Sequence, residues 1–434
     1  MNSSSSIPSG QSEAAIQSFT ELRYGLFVHF GLFSLVGRGE WVMNKESMSH
    51  GEAEALSQKF LAEQFDAHQI ADLAIRGGMK YIVFTTMHHE GFRLYDTQLS
   101  DFNALHSPCG RDLVQEVIDA ARARGLKIGL YHSLNNWYDK PDAVDALENQ
   151  AAYGHLIKNT FARIEELVTR YNPIDVLWYD GWWPFNAEGW QAKAMNAMVR
   201  EIQPKILFNG RNGLPGDFGT PEGHVSMPQP WRPWEACMTL NDSWGYHAGD
   251  HNWKSLVEVI KLLARVAQGQ GNLLLNIGPR GDGSIPEASV SIIEKVGQWL
   301  ETNGECIFDT DPFTFDLQER GDHRGDYVHH GPMTVRGNAL YLIATNWPGA
   351  EYSISGLSVK VSAVTLLGAE EQVSFEQRNG VVKLSGLPMD PGCELPLVFK
   401  FECEAPPSIY KTGGMRVPQT PHPRYDPCPS DIQH

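Results

Sequence analysis

The sequence lacks the features of three protein classes. No apolar run approaches the about 20 residues that a membrane-spanning helix needs, and the longest candidates are interrupted by charged residues. The opening segment, MNSSSSIPSGQSEAA, has neither the basic region nor the apolar stretch of a secretory signal. Six cysteines are scattered without a CxxC spacing, which predicts free thiols rather than a disulfide framework or a zinc site. We therefore expect an intracellular protein located in the cytoplasm.

Basic residues are scarce relative to acidic ones. The chain has 35 Lys and Arg against 52 Asp and Glu, which gives a formal net charge of −17 at pH 7. This balance argues against a nucleic-acid-binding surface, because phosphate contacts require a basic face. The hydrophobic fraction of 42% over 434 residues is ordinary for a globular protein. We expect neither nucleic acid nor a membrane among its partners, and the sequence leaves a homo-oligomer open.

Predicted strands alternate with amphipathic helices over much of the chain. The segment Tyr24–His29 reads as a strand, AHQIADLAIRGG as a helix with one apolar face, and YIVFTT as the next strand. The same pattern returns in RDLVQEVIDAARARG followed by KIGLYHS. Alternation over about 250 residues or more predicts an α/β fold with a parallel sheet, and closure into a (β/α)8-like, TIM-type barrel fits that length. An open doubly wound sheet is the alternative.

The pattern changes after Cys306. Short β-rich segments separated by Gly, Pro or Asn predict a C-terminal antiparallel β-sandwich, and a Pro-rich stretch without helical or strand period follows it. The predicted organisation is a flexible N-terminal lead at 1–20, the barrel at 21–305, the sandwich at 306–403 and a Pro-rich tail at 404–434.

The most informative motif is IDVLWYDGWWPF, an apolar run that ends in Asp180. Gly181 and two tryptophans, Trp182 and Trp183, follow at once. A carboxylate at a strand end can act as a nucleophile or base, and tryptophan stacks on the apolar face of a pyranose. This arrangement favours sugar chemistry. For the motif alone, a buried strand capped by a turn aspartate is an equal alternative.

Polar residues lie at or just beyond the carboxyl ends of the predicted strands. In a barrel fold, side chains at these ends form the active site, so we expect them to converge. They are His29, His88, His89, His132, Asp180 and Arg211.

Two further features bear on the kind of site. His88 and His89 could serve as metal ligands, but neighbouring strand residues point to opposite faces unless the strand has already turned, and HFG after the first strand offers one histidine only. Contacts to sugar hydroxyls are the favoured role, with satisfied interior histidines as the alternative. Glu40 and Trp41 in GEWVMN suggest a carbohydrate subsite, or else a surface glutamate beside a core tryptophan. We predict no metal and no cofactor.

Seven segments in order resemble the α-L-fucosidases of glycoside hydrolase family 29. They are VHFG, EW, HHEGF, GLYHS, LWYDG, WEACMTLNDSWGY and GNLLLNIGP, and they span Arg23 to Pro279. The resemblance implies a barrel followed by a β-sandwich, and exo-acting hydrolysis of terminal α-L-fucosyl linkages with retention of configuration. It assigns the nucleophile to Asp180, the aspartate of LWYDG.

The resemblance also implies the other roles in the site. The acid/base is assigned to Glu222 in GTPEGH, with Glu235 in WEACM as the challenger, and Arg211 matches an arginine that contacts the sugar. The remaining predicted contacts are His29, Glu40, Trp41, His88, His89 and either Tyr131 or His132 for the hydroxyls, with Trp182, Trp183 and Trp244 as aromatic walls.

The chain departs from the family pattern beside the histidine pair. Many members have KHHDGF, so Met87 and Glu90 replace a lysine and an aspartate here. Both changes flank the histidines and leave the histidines themselves in place. The rival hypotheses are a barrel metallohydrolase, another exo-glycosidase and a non-catalytic carbohydrate-binding protein. The linkage preference is open, although the TPE-type loop suggests branched α1,3/4 substrates.

Overall fold

The structure is a computed structural model that describes residues 13–228, 231–312, 330–355, 357, 359–369 and 372–407. Within these ranges no helix is long and apolar enough to cross a membrane. The five cysteines that fall in the described ranges are all free thiols. Cys428 and most of the predicted Pro-rich tail lie outside the described residues.

A seven-stranded parallel sheet forms the centre of the N-terminal part. Its strands are β1 (Tyr24–Val28), β2 (Tyr81–Met87), β3 (Lys127–Ser133), β4 (Val176–Asp180), β5 (Leu207–Phe208), β6 (Glu235–Thr239) and β7 (Asn272–Ile277). They are ordered β5-β4-β3-β2-β1-β7-β6. These strands are almost wholly buried, as expected for parallel strands covered on both faces, and this burial explains why their sequences are continuous apolar runs.

The edge strands β5 and β6 are joined by the irregular segment 217–222. Isolated parallel bridges link Asn209 to Phe218 on one side, and Gly219 to Trp234 and Glu222 to Cys237 on the other. The sheet therefore curls into a barrel-like structure whose eighth position is a segment without regular strand geometry. The predicted α/β fold with a TIM-like barrel is confirmed, with this irregular closure as its imperfection.

Helices cover the outside of the sheet. The longer helices are amphipathic because one face packs on the sheet and the other faces solvent. In the helix that precedes β3, the buried face contains Leu113, Val114, Val117 and Ile118, and Asp112 caps the N-terminus. The helices are α1 (Glu13–Thr20), α2 (Leu32–Val36), α3 (Val42–Lys45), α4 (His50–Ser57), α5 (Ala67–Arg76), α6 (Leu113–Ala123), α7 (Ala143–Glu148), α8 (Gln150–Arg170), α9 (Ala192–Ile202), α10 (Leu256–Gln268) and α11 (Glu287–Asn303).

Helix α1 corrects the prediction of a flexible lead over residues 1–20. Its Ile16 and Phe19 are buried in the cluster of side chains that fills the interior of the barrel. The Phe19 ring lies 4.4 Å from that of Phe218 and 6.1 Å from that of Tyr81. The deeply buried side chains described in this helix are Ile16 and Phe19. Two apolar positions are too few to form the repeating apolar pattern by which a packed helix is predicted from sequence. Residues 1–12 lie outside the described residues.

The C-terminal part consists of two antiparallel sheets. One has the order β12-β15-β10-β9-β8 and the other the order β11-β14-β13, where the strands are β8 (Asp311–Pro312), β9 (Met333–Arg336), β10 (Ala339–Ala344), β11 (Tyr352–Ser355), β12 (Val361–Leu366), β13 (Ser374–Arg378), β14 (Val381–Ser385) and β15 (Leu397–Cys403). One apolar cluster contains side chains from both sheets, including Leu342, Ile354, Val382 and Phe399. The predicted β-sandwich is therefore confirmed, although the short strands β8 and β9 were not predicted.

The five-stranded sheet also packs on the barrel. Tyr341, Ile343 and Val398 belong to the barrel's main apolar cluster rather than to the sandwich core, because alternate residues of a strand face opposite sides. Trp299 of α11 donates a hydrogen bond from its indole Nε1 to the carbonyl oxygen of Pro396 at 2.9 Å. The sandwich thus lies against the helical layer of the barrel.

Candidate active site

A cavity of about 210 Å³ opens at the carboxyl ends of the barrel strands. This volume is below the range of about 300–1,000 Å³ that is common for drug-sized ligands. It therefore suits a ligand about as large as a single sugar ring. The lining residues are Phe27, His29, Trp41, His88, His89, Tyr131, Trp178, Asp180, Trp182, Trp183, Arg211, Glu222, Cys237 and Trp244.

Asp180 is the last residue of β4 and is 8% exposed. Its Oδ2 accepts a hydrogen bond from the Tyr131 hydroxyl at 2.8 Å, and its Oδ1 accepts one from Arg211 Nη1 at 3.2 Å. Burial alone would raise the pKa of Asp180, but the charge of Arg211 and the Tyr131 hydrogen bond outweigh it and lower the pKa. The carboxylate is therefore ionised and faces the cavity.

Arg211 links the two carboxylates of the cavity. Its Nη1 contacts Asp180, and its Nη2 lies 2.6 Å from Glu222 Oε2. The guanidinium stacks over the Trp178 ring at 4.7 Å, and its Nε donates to the Thr220 hydroxyl at 3.1 Å. A planar cation held in this way fixes the relative positions of both acids.

Glu222 lies on the irregular segment that closes the barrel. Its side chain is 45% exposed, so one face of the carboxylate is open to the cavity mouth. Besides the contact with Arg211, its Oε1 accepts a hydrogen bond from Trp244 Nε1 at 3.2 Å. The carboxylate can therefore contact a ligand inside the cavity and also the part of that ligand that projects from the cavity mouth.

Glu235, the challenger, lies at the start of β6 and outside the cavity lining. It is fully buried, and its two oxygens accept hydrogen bonds from the Tyr81 hydroxyl at 2.6 Å and from Trp178 Nε1 at 2.9 Å. Burial raises its pKa to about 7, although these hydrogen bonds and Arg211 oppose the rise. Glu235 therefore supports Trp178 from beneath, and a ligand in the cavity does not reach it.

Three histidines line the cavity, and burial lowers the pKa of each. His29 Nδ1 lies 2.6 Å from Asn276 Oδ1, which makes Nδ1 the protonated nitrogen because an amide oxygen only accepts. His89 Nδ1 lies 2.7 Å from the Ser133 hydroxyl, and its Nε2 lies 3.7 Å from Asp180 Oδ2. All three imidazoles are neutral and can both donate and accept hydrogen bonds.

His88 and His89 both face the cavity, which departs from the expectation that neighbouring residues point to opposite sides. The reason is that β2 ends at Met87, so the chain has already turned when it reaches the pair. In the described parts of the chain, no group of three or more His, Cys, Asp or Glu side chains has an arrangement that could hold a metal ion.

Two predicted contact residues lie away from the cavity. His132 follows Tyr131 on β3 and therefore points outward, where its Nδ1 lies 2.9 Å from the Thr86 hydroxyl and its Nε2 accepts from Arg163 Nε at 3.3 Å. Of the two candidates Tyr131 and His132, Tyr131 is therefore the one that lines the cavity. Glu40 Oε2 accepts a hydrogen bond from the backbone N–H of Gly245 at 2.9 Å. It holds the loop of Trp244 rather than lining the cavity.

Three lining residues were not predicted, namely Phe27, Trp178 and Cys237. All three point into the barrel, and together with Tyr131 they belong to the interior apolar cluster. A signal for Trp178 was present in the sequence, since it lies two residues before Asp180 and the strand period of two places both on one face. Phe27 likewise lies two residues before His29 and so faces the same side of the sheet.

Aromatic side chains form the upper wall of the cavity. Trp41 and Trp183 stack with ring centroids 5.9 Å apart and planes inclined by 12°, and each ring meets His89 edge-on. Trp182 stands at the mouth, with 36% of its surface exposed and the Arg211 guanidinium 5.8 Å from its ring. The inner rings of the wall therefore pack on one another, and Trp182 leaves the rim exposed.

Comparison with known proteins agrees with this geometry. The family model described as alpha-L-fucosidase matches residues 2–305. The human plasma alpha-L-fucosidase is 32% identical over 406 residues, which covers 85% of each chain. Alpha-L-fucosidase isoenzyme 1 from Paenibacillus thiaminolyticus superposes with a TM-score of 0.80 at 31% identity, over 90% of this chain and 99% of that chain.

A second solved structure bears on the chemistry of the family. The family 29 alpha-L-fucosidase from Bacteroides thetaiotaomicron, described as a trapped covalent intermediate in complex with 2-fluoro-fucosyl fluoride, superposes with a TM-score of 0.79 at 25% identity, over 91% of this chain and 97% of that chain. The match of the family model over most of the barrel, together with these relatives, shows that the chain belongs to the α-L-fucosidase family, glycoside hydrolase family 29.

Proposed function

We propose that the protein is an exo-acting, retaining α-L-fucosidase in which Asp180 is the nucleophile and Glu222 the acid/base. The observation that carries this proposal is the contact of both carboxylates with the same guanidinium, at 3.2 and 2.6 Å. Two acids held by one arginine lie close together, as retaining glycosidases require with carboxyl groups about 5–5.5 Å apart. The trapped covalent intermediate of the Bacteroides relative supports the same mechanism.

The first half-reaction uses the difference between the two acids. Asp180 is buried and ionised, so one of its oxygens can attack the anomeric carbon of the fucosyl ring. As the ester forms, the bond between that carbon and the leaving oxygen breaks, and Glu222 gives its proton to the leaving oxygen. In the free site Glu222 is engaged by Arg211, so the entering substrate must replace this contact.

The second half-reaction reverses these roles. Glu222, now ionised, takes a proton from a water molecule, and the resulting oxygen attacks the anomeric carbon and displaces Asp180. Two inversions at one carbon give net retention. Because Glu222 is partly exposed while Asp180 is buried, water can enter from the side that the leaving group has vacated.

The shape of the cavity supports exo action on a fucosylated oligosaccharide or glycoconjugate. Its floor is closed by Phe27, Trp178 and Cys237, so a sugar can extend only toward the mouth. The neutral imidazoles of His29, His88 and His89 offer hydrogen bonds to hydroxyl groups without adding charge. A terminal sugar thus fits inside, and the rest of the substrate lies outside.

We expect Asp180→Gly to lower kcat for an aryl α-L-fucoside by at least about 10³-fold, because the variant has no group to form the ester. Added azide should restore turnover and give β-L-fucosyl azide, since azide replaces the nucleophile and inverts the anomeric carbon once. Product analysis by NMR checks this outcome. Asp175→Asn, just before the opposite end of β4, is the matched control. Near-normal hydrolysis by Asp180→Gly would show that another residue is the nucleophile.

Glu222→Ala should lose about 10²–10⁴-fold in activity on substrates with sugar leaving groups, which need protonation, and less on activated aryl fucosides. Azide should then give α-L-fucosyl azide, because it attacks the fucosyl-enzyme and completes the second inversion. The same experiment with Glu235→Ala should give no azide adduct. An α-azide formed only by the Glu235 variant would transfer the acid/base role to Glu235.

Because the pKa of Glu235 is raised, we expect this residue to make the stability of the protein depend on pH. Its carboxyl titrates near pH 7 in the folded protein but near about 4.3 when unfolded, so between these values the folded state binds more protons. The free energy of unfolding should therefore fall as pH rises through this window, by on the order of 3 kcal/mol. Glu235→Gln removes this slope. Denaturation at pH 5 and pH 8 should show that Glu235→Gln is more stable relative to the wild type at pH 8 than at pH 5, and Glu165→Gln, at an exposed position of α8, is the control variant. A pH-independent difference would contradict the prediction.

Trp182 is expected to contact the leaving-group sugar, because it lies at the mouth beside the Arg211 that holds Glu222. Trp182→Ala should lower kcat/KM for fucosylated disaccharides by about tenfold, as expected for losing about 1.4 kcal/mol of contact. Hydrolysis of α-L-fucosyl fluoride, whose leaving group has no ring, should be unchanged. Trp231, similarly exposed at 37% and bonded to Gly269 far from the mouth, provides the control variant Trp231→Ala. Equal losses on both substrates would refute the aglycone contact.

A further inference from the structure

Glu90 is a buried carboxyl for which the proposed mechanism has no role. It is 2% exposed, and neither of its oxygens has a hydrogen-bond partner of regular geometry. Space for the carboxyl exists because residue 31 is glycine: a Cβ there would lie 2.4 Å from Glu90 Oε1. A buried carboxyl without a regular hydrogen bond is costly, and a polar neighbour that can bond to it offsets this cost.

The neighbour is His88, which lines the cavity. His88 Nδ1 is also buried without a hydrogen bond, and it lies 3.8 Å from Glu90 Oε2. Packing fixes the orientation of the ring, which stacks on Tyr131 with an interplanar angle of 13° and meets Phe33 edge-on. Since the two ring nitrogens point in different directions, Nδ1 faces Glu90 and Nε2 is left for the cavity.

We propose that Glu90 is a positioning residue that sets the tautomer of His88 and so makes its Nε2 the hydrogen-bond donor to a hydroxyl of the bound sugar. The inference rests on the proposed function, in which His88 contacts the sugar. A neutral imidazole carries one proton, and the partner of one nitrogen decides which nitrogen holds it. A protonated Glu90 donates to Nδ1 and leaves the proton on Nε2. An ionised Glu90 accepts from Nδ1–H and leaves Nε2 as an acceptor.

The surroundings of Glu90 favour the protonated form at neutral pH. Burial raises its pKa to about 8, opposed by the backbone amides of Glu90 itself and Leu32 and by the charge of Arg93. The titratable groups that face it are His88 and Arg93 on its own segment and Tyr131 on β3, while His29 on β1 reaches it through His88. Arg93 is itself paired with Asp139 at 2.5 Å, and burial keeps both histidines neutral.

The distance of 3.8 Å must shorten for a hydrogen bond to form. Aspartate is one methylene shorter than glutamate, so Glu90→Asp should leave the carboxyl farther from Nδ1. The length of the glutamate side chain brings the carboxyl to within 3.8 Å of the imidazole.

The test is the tautomer of His88, measured by ¹H–¹⁵N NMR of the full chain labelled at histidine, with His88→Gln to assign the signals. In the wild type we expect the Nε2–H form at pH 6.5 and a change toward Nδ1–H above about pH 8. In Glu90→Gln the pH dependence should disappear, because an amide does not titrate. A wild-type tautomer that stays constant from pH 6 to 9.5, or a pH-dependent change that survives in Glu90→Gln, would overturn the proposal.

Kinetics provide the second measurement. Glu90→Leu, which keeps the volume but removes both donor and acceptor, should raise KM for an aryl α-L-fucoside by roughly tenfold, the effect of one misdirected hydrogen bond. Glu90→Gln should stay within about threefold of the wild type at pH 6.5, since its amide can still donate to Nδ1, and Glu165→Gln is the exposed control. An unchanged KM in a folded Glu90→Leu variant would contradict the role. The NMR measurement does not require turnover, so the two proposals can fail separately. If the protein does not hydrolyse fucosides but the tautomer of His88 still changes with pH, the fucosidase proposal is wrong and the role of Glu90 stands.

Discussion

The site depends on the position of one buried cation. Arg211 contacts Asp180 and Glu222 with different nitrogens of the same planar group, and it stacks on Trp178. Without it, two carboxylates would face each other across a cavity of low dielectric, and their repulsion would favour protonation of Asp180. Arginine suits this position better than lysine, because its fork can engage two acids at once and its pKa is too high for it to lose its charge. The depressed pKa of Asp180 follows from this contact more than from any other.

The cation is in turn positioned by the barrel. Arg211 follows β5, one of the two edge strands, and its Nε is fixed by Thr220 on the closing segment. Beneath it, Trp178 is held by the hydrogen bond to Glu235, so a carboxyl that does not reach the cavity still supports its floor. Glu222 comes from the irregular segment 217–222, which is bonded to β6 but lacks strand geometry. The proposed acid/base is thus on the less regular element, while the proposed nucleophile ends a buried strand.

The sequence predicts the strands and Asp180 because both depend on local pattern. Strands β1 to β4 and β7 are continuous apolar runs, and burial on both faces requires such runs. The choice between Tyr131 and His132 depends on the register of β3 in the sheet. Tyr131 pairs with Trp178 of β4 and points into the barrel, so His132 points outward. The sequence of one strand does not specify which of two neighbouring residues faces inward. The role of Glu40 as a backbone acceptor depends on a loop that is 205 residues away along the chain. Helix α1 was missed because its packing rests on two apolar side chains, Ile16 and Phe19.

The charge of the site differs from that of the protein as a whole, and the difference bears on the transition state. The chain carries a net charge of −17, yet the cavity combines a single cation with two acids and three imidazoles that burial keeps neutral. In glycoside hydrolysis the sugar ring becomes oxocarbenium-like and gains positive charge. Protonated histidines around the ring would oppose that charge, whereas neutral ones can hold the hydroxyls without electrostatic penalty. In the proposed reaction the ionised Asp180 attracts the developing charge directly, and the same burial that neutralises the histidines strengthens this attraction.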